Sequence, residues 1–315
     1  MEILVNICMG ILGIGLLYYG AEWLVTGGVA IAKKCNVPPL VIGLTLVAFG
    51  TSAPELVVSA DAALSGHGDV SIGNVVGSNI CNIALILGLC AVISPLKVNK
   101  KLFKADAPLL VIASIVLLLF HAMSGGITRW QGAIFFAGIV TYTLLSLYFG
   151  RKNGAEEDES MQPKEIAVWL AVVMVIGGLA ALVGGGKFLV KAAVYAAHLC
   201  KVPEAIIGLT IVAVGTSLPE LATSVVAARK GEADIAIGNV VGSNIFNILC
   251  ILGVTPLLAP IQAPGISMTD MGVMLFLSVI LIPIMRTGFS INRREGWLLL
   301  GIYGVYLLWL IRGTI

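Results

Sequence analysis

Apolar runs of membrane-spanning length recur along the whole of this 315-residue chain, and they constrain its fold more than any other feature. A helix of about 20 apolar residues crosses the hydrocarbon core of a bilayer, where backbone polar groups must be satisfied within the protein. The chain is 58% hydrophobic and only 11% charged, whereas soluble domains carry about 25% charged residues. The sequence therefore predicts an all-α polytopic membrane protein that is surrounded by the lipid bilayer.

Ten runs are predicted to be transmembrane helices, five in each half of the chain. They lie near residues 3–32, 39–64, 70–94, 105–122, 130–149, 166–198, 204–228, 235–258, 269–285 and 295–311. The stretch between the fifth and sixth runs is polar and acidic. We therefore predict a first five-helix repeat over residues 1–150, a linker over 151–164 and a second repeat over 165–315.

An internal duplication relates the two halves. Residues 38–95 and 203–260 align without a gap at a constant offset of 165, and 33 of the 58 aligned positions are identical. The densest matches are two motifs, Gly-Thr-Ser-x-Pro-Glu-Leu from Gly50 and Gly215, and Gly-Asn-Val-Val-Gly-Ser-Asn from Gly73 and Gly238. With five spans per repeat, the second copy enters the membrane upside down, which is the inverted-repeat design of many secondary transporters.

The basic residues predict the orientation. With these ten spans, fourteen Lys and Arg fall on one side of the membrane and three, Arg129, Lys201 and Arg312, on the other. Because cytoplasmic loops carry the excess of Lys and Arg, the richer side is predicted to be cytoplasmic. Both termini should then lie outside and the linker inside, in the plasma membrane. The basic residues form no stripe, so no nucleic-acid partner is expected, and we expect the protein to work as a monomer.

Two acids lie near the middle of the second and seventh predicted spans, Glu55 and Glu220. A carboxylate at this depth is costly unless something compensates it, and intramembrane acids are usually functional. Pro54 and Pro219 each remove a helical hydrogen bond beside the acid, so both helices should break there. Such a break is tolerated within a membrane where it lines a cavity.

Oxygen atoms from both repeats are expected to converge on these acids in one cage at the membrane midplane, where four broken helices cross. The breaks should free carbonyl oxygens at residues 48–51 and 213–216. In the third and eighth spans, Ser78, Asn82, Ser243 and Asn247 can face the acids. Such a set of oxygens suits hard cations such as Ca²⁺, and no His or Cys accompanies the acids, as a transition metal would require.

Four further asparagines lie in the same third and eighth spans. For these, hydrogen bonds to freed backbone groups or across helices are favoured over contact with an ion. They are Asn74, Asn79, Asn239 and Asn244.

Two carboxylates give the cage a formal charge of about −2 at neutral pH. This charge neutralises one divalent cation, or accommodates two or three monovalent cations at neighbouring positions. Because the two loads compete for the same acids, the arrangement predicts antiport. Mg²⁺ should be a poorer substrate than Ca²⁺, because it demands tight octahedral geometry and loses water reluctantly.

At these motifs the chain resembles the sodium/calcium exchanger family, whose two repeats carry Gly-Thr-Ser-x-Pro-Glu and Gly-Asn-x-x-Gly-Ser patterns. The resemblance implies ion binding by the Thr, Ser and Glu of the first motif and by Ser and Asn of the second. At Asn247 some microbial relatives carry an aspartate. The site predicted on both grounds comprises Ala48, Thr51, Ser52, Glu55, Ser78, Asn82, Ala213, Thr216, Ser217, Glu220, Ser243 and Asn247.

The resemblance also implies alternating access, in which the long first and sixth spans slide against the other eight. The predicted function is exchange of sodium for calcium, with these ions as substrates and no resident cofactor. Proton/calcium antiport on the same scaffold stays open, because buried carboxylates can titrate. A cation channel is the third alternative. No nucleophile with a base and no histidine-bound metal site is evident, so an enzyme is not expected.

One ion pair is also predicted near the outer entrance. Lys187 in the sixth span and Asp61 at the end of the second should lie toward the same side of the membrane. Their opposite charges suggest that they pair there.

Overall fold

The computed structural model describes residues 2–153, 166–199 and 213–314. Predictions for most of the linker and for residues 204–212, the first part of the seventh predicted span, lie outside these residues. The helices of the first half are α1 Glu2–Lys34, α2 Pro39–Thr51, α3 Ala53–Leu64, α4 Gly68–Ile93, α5 Leu102–Ser124 and α6 Arg129–Asn153. Those of the second half are α7 Val168–Leu199, α8 Ala213–Thr216, α9 Leu218–Arg229, α10 Ala233–Leu258, α11 Met268–Arg286 and α12 Arg293–Thr314.

Within the described residues, seven helices are long and apolar enough to cross a membrane, or eight if α2 and α3 together form one span. A nearly all-helical fold with helices of membrane-spanning length is therefore confirmed. Helices α4 and α10 lie at the centre of the bundle, and the most apolar stretch of α10 is entirely buried. Their position follows from their sequence, because small and amide residues let neighbouring helices approach closely and bond across the contact.

The predicted break beside the glutamate is present in both repeats. A break is also predicted for the third and eighth spans, and this is wrong, because they are the continuous helices α4 and α10. Helices α2 and α3 meet at Ser52 with a bend of 46°. Ser52 has φ −84° and ψ 5°, and the equivalent Ser217 between α8 and α9 has φ −88° and ψ 8°. Pro54 and Pro219 occupy the first turns of α3 and α9, where a missing amide hydrogen is tolerated. Each motif is therefore the end of one helix and the start of the next.

Within the described residues, four of the helices contain a wide π-helical turn. These turns cover Gly43–Val47 in α2, Cys81–Leu87 in α4, Leu102–Asp106 in α5 and Asn247–Ile251 in α10. Such turns are rare and frequently mark functional positions. The turn in α4 begins one residue before Asn82, and the turn in α10 begins at Asn247. Both asparagines are predicted site residues.

The long helices α1 and α7 pack against each other along most of their length. Glycines allow this contact, with Gly13, Gly20 and Gly27 recurring every seven residues on α1. A Cβ atom at Gly20 would lie 2.9 Å from the carbonyl oxygen of Gly178, and one at Gly13 would lie 2.9 Å from that of Gly185. The two backbones touch, so α1 and α7 form one tightly joined pair.

In the part of the chain that the structure describes, two short antiparallel strand pairs connect the halves. Strand β1, Leu96–Lys97, pairs with β4, Ser290–Ile291, and β2, Gly126–Ile127, pairs with β3, Ile261–Gln262. Each pair joins a segment of the first half to a segment of the second. They hold the two repeats together at sites that do not involve α1 or α7.

Candidate ion-binding site

The helix breaks and the central helices bring the predicted site residues together from both repeats. The break in the first half carries Thr51, Ser52 and Glu55, and each of these side chains is at most 1% exposed. Ser217 and Glu220 of the second break are equally buried, and Thr216 is half-buried. From α4 and α10 come the buried residues Ser78, Asn82, Ser243 and Asn247.

Each carboxylate is hydrogen-bonded by the serine of the other repeat. Ser52 Oγ donates to Glu220 Oε1 at 2.8 Å, and Ser217 Oγ donates to Glu55 Oε1 at 3.2 Å. Thr51 also lies beside Glu220, as does Ser243. The two motifs therefore contact each other across the repeats, and the residues at the helix break of one repeat lie around the glutamate of the other.

Asn74 and Asn239 stabilise this arrangement of the two motifs by hydrogen bonds. Asn74 Nδ2 donates to the main-chain oxygen of Glu55 at 3.2 Å, and Asn239 Nδ2 donates to that of Glu220 at 3.3 Å. Asn239 Oδ1 accepts from the Thr51 hydroxyl at 3.1 Å. These contacts agree with the role predicted for the asparagines, because they satisfy main-chain groups and cross from one repeat to the other.

Six oxygens at this site are buried and have no hydrogen-bond partner among the described residues. They form three pairs related by the duplication, and all six belong to predicted site residues. An unsatisfied buried polar atom costs about 1–3 kcal/mol, so six of them at one site indicate a place where a ligand binds. The six are Glu55 Oε2, Glu220 Oε2, Ser78 Oγ, Ser243 Oγ, Asn82 Oδ1 and Asn247 Oδ1.

The Ala48 carbonyl, one of the two predicted main-chain ligands, already accepts two hydrogen bonds. Its donors are the Ser52 amide at 3.0 Å and the Thr51 hydroxyl at 3.4 Å. In the second repeat the Ser217 amide donates to the main-chain oxygen of Val214 at 3.1 Å. The first carbonyl would have to share its lone pairs with these donors to bind an ion, so its role as a ligand stays a prediction.

The predicted ion pair between Lys187 and Asp61 is wrong. Both side chains are exposed, and no salt bridge joins them in the part of the chain that the structure describes. Instead, Lys230 after α9 forms an ion pair with Glu22 of α1 at 2.5 Å, and it also donates to Thr26 at 2.9 Å. Helix α1 packs along α9, whereas its counterpart α7 does not pack along α3 in the same way, so the repeats are not equivalent here.

A cage of carboxylate, hydroxyl and amide oxygens inside a bundle of membrane helices defines a class of protein. Its oxygens suit hard cations, and broken helices that meet at a buried site are typical of secondary transporters. The fold and the site together are those of a cation transporter.

Comparison with known proteins identifies the family. The family model described as sodium/calcium exchanger protein matches residues 5–148 and 170–312. The putative antiporter CaxA of Alkalimonas amylolytica is 40% identical over 299 residues, which cover 92% of this chain and 93% of that protein. The sodium/calcium exchanger MaX1 of Methanosarcina acetivorans is 34% identical over 97% of this chain and 98% of its own.

A solved structure agrees with this result. The sodium-calcium exchanger NCX_Mj, soaked with Na⁺ and Sr²⁺, superimposes with a TM-score of 0.85 at 33% sequence identity, covering 97% of this chain and 98% of that chain. The protein belongs to the sodium/calcium exchanger family and is of the microbial type. It is a membrane antiporter for cations, a transporter and not an enzyme.

Proposed function

We propose that this protein exchanges sodium for calcium by alternating access at the buried oxygen cage. The observation that carries the proposal is the set of six unpartnered oxygens, which come in symmetric pairs from four helices. Two carboxylates can balance one Ca²⁺, and the same oxygens can hold two or three Na⁺ ions in its place. Because one site cannot hold both loads together, the binding of one ion displaces the other.

The chemistry of the cage favours calcium as the divalent substrate. Ca²⁺ accepts six to eight oxygen ligands in flexible geometry, whereas Mg²⁺ demands a tight octahedron. The twelve predicted site residues offer carboxylate, hydroxyl, amide and main-chain oxygens, with no sulfur or imidazole among them. The proposed substrates are therefore Na⁺ and Ca²⁺, and no resident cofactor is proposed.

The moving part that we propose is the joined pair α1 and α7. Glycines allow these two helices to pack tightly against each other. The two strand pairs connect other segments of the two halves and do not include α1 or α7. The pair also passes over both breaks, since Leu179 of α7 lies against Gly50 and Val190 lies against Gly215. Sliding of α1 and α7 would then expose the cage to one side of the membrane at a time.

The proposed topology has ten spans, arranged as two inverted repeats in the plasma membrane. Both termini lie outside the cell, and the linker lies in the cytoplasm. The distribution of Lys and Arg supports this orientation. A C-terminal reporter enzyme that is active only outside the cytoplasm should be active when it is fused to this chain. A reporter inserted into residues 151–164 should be inactive, and the opposite pattern would overturn the orientation.

The proposed exchange can be tested with purified protein in liposomes. Calcium-45 uptake should require sodium inside the vesicles and should be suppressed by an equal sodium concentration outside. If the monomer is the working unit, uptake should also proceed in vesicles that contain one protein copy each. Vesicles without sodium, with and without an acidic interior, provide the controls. Uptake that depends on internal sodium at fixed pH supports sodium/calcium exchange.

The same assay separates the alternatives. Uptake that is driven by the pH gradient and unaffected by sodium would assign the protein to proton/calcium antiport. Uptake that follows the calcium gradient alone, with no movement of a counter-ion, would indicate a channel. Either result would overturn the proposed sodium exchange.

A further inference from the structure

Four asparagines form a hydrogen-bonded group between α4 and α10. Asn82 Nδ2 donates to Asn244 Oδ1 at 3.0 Å, and Asn247 Nδ2 donates to Asn79 Oδ1 at 3.0 Å. Asn79 Nδ2 faces the main-chain oxygen of Asn244 at 3.4 Å, and Asn244 Nδ2 faces that of Asn79 at 3.5 Å. All four side chains are at most 1% exposed, and Asn79 Nδ2 also faces Met274 Sδ at 3.7 Å.

The main-chain oxygens determine which way every amide points. A carbonyl oxygen only accepts hydrogen bonds, so Asn79 and Asn244 must turn their nitrogens toward it. Their side-chain oxygens then face Asn247 and Asn82, which must in turn present nitrogen. The outcome is that Asn82 Oδ1 and Asn247 Oδ1 are left without a partner among the described residues, and these are the oxygens that a cation would bind.

We propose that Asn79 and Asn244 are positioning residues, which orient the ion-binding amides of Asn247 and Asn82 so that each presents oxygen to the ion. This inference rests on the proposed ion site, and it assigns a separate task to residues that need not touch the ion. The pairing is crossed between the repeats. Asn79 orients Asn247, and Asn244 orients Asn82.

The crossed pairing can be tested by matched rescue. In Asn79→Leu, the Asn247 amide loses its acceptor and can turn its nitrogen toward the ion, so the half-effective Ca²⁺ concentration should rise roughly tenfold. Adding Asn247→Asp should restore much of the affinity, because a carboxylate presents oxygen in either orientation. Asn244→Leu should be restored by Asn82→Asp instead.

The mismatched pairs serve as the control for charge. Asn79→Leu with Asn82→Asp, and Asn244→Leu with Asn247→Asp, add the same carboxylate without correcting the disturbed amide. They should recover clearly less affinity than the matched pairs do. Equal rescue by matched and mismatched aspartates would show that charge alone matters, and it would overturn the assignment, as would leucine variants with wild-type calcium affinity.

Calcium binding should be measured as the Ca²⁺-dependent rise in melting temperature of the purified protein, beside its transport rate. Alanine at positions 79 and 244 replaces leucine if the leucine variants do not elute as folded protein. Wild-type protein that binds Ca²⁺ but does not exchange sodium would contradict the proposed function and still permit the rescue test. Wild-type protein that Ca²⁺ does not stabilise would overturn both.

Discussion

Replacing Glu55 or Glu220 by glutamine should reduce sodium-dependent calcium uptake by at least about a hundredfold. Glutamine keeps the shape of the side chain and can still accept the serine hydrogen bond, but it removes one of the two formal charges in the cage. One remaining carboxylate cannot balance a divalent cation that has lost its water. Initial rates of calcium-45 uptake into sodium-loaded liposomes measure the effect.

Asp106→Asn is the matched control for this experiment. Asp106 is also a buried acid within a predicted span, 2% exposed, but its partner is the Tyr142 hydroxyl at 3.0 Å and it lies outside the cage. This variant should keep at least about half of the wild-type rate, which corresponds to a change of less than about 0.4 kcal/mol. If the glutamine variants transported as well as this control, the two carboxylates could not be the binding site.

The acids and the helix breaks could be predicted from sequence because they are local and duplicated. A proline beside a glutamate inside an apolar run indicates a broken helix and a functional acid on its own, and a second copy at a constant offset excludes coincidence. The membrane fold follows equally directly from the apolar runs. These features depend on neighbouring residues and on the bilayer, so no knowledge of the folded structure is needed.

The contacts between distant segments could not be predicted in the same way. The orientation of Asn82 and Asn247 depends on asparagine side chains of the opposite repeat, and the two-residue strands at Leu96 and Ile261 form only when their partners are in place. Wide turns such as Cys81–Leu87 likewise carry no distinct sequence signal.

The mistaken ion pair between Lys187 and Asp61 has a physical cause. The prediction uses only the side of the membrane and the opposite charges, whereas contact also requires α7 to lie beside α3. The pair α1 and α7 is instead placed asymmetrically on the bundle, with α1 packed along α9. Glu22 therefore meets Lys230, while Lys187 stays exposed. Equivalent positions in the two repeats therefore have different neighbours in this structure.

Gly20→Val should separate α1 from α7 and abolish transport. The new Cβ would lie 2.9 Å from the Gly178 oxygen and 3.0 Å from the Leu182 nitrogen. Both are backbone atoms of a helix, which cannot move aside as a flexible side chain could. Overpacking of a core costs typically 1–3 kcal/mol, and this collision should reach the upper end or exceed it. The apparent melting temperature in detergent should fall by roughly 10 °C.

Gly15→Val is the control on the same helix. A Cβ atom at Gly15 meets no atom of the described residues within 4 Å, yet the substitution has the same effect on helix propensity and on the unfolded chain. Gly15→Val should therefore retain the melting temperature and the rate of calcium uptake within about a factor of two. Equal losses at both positions would mean that backbone flexibility of α1, and not its close contact with α7, is what these glycines provide. A normal rate in Gly20→Val would show that the tight joining of the two helices is dispensable for exchange.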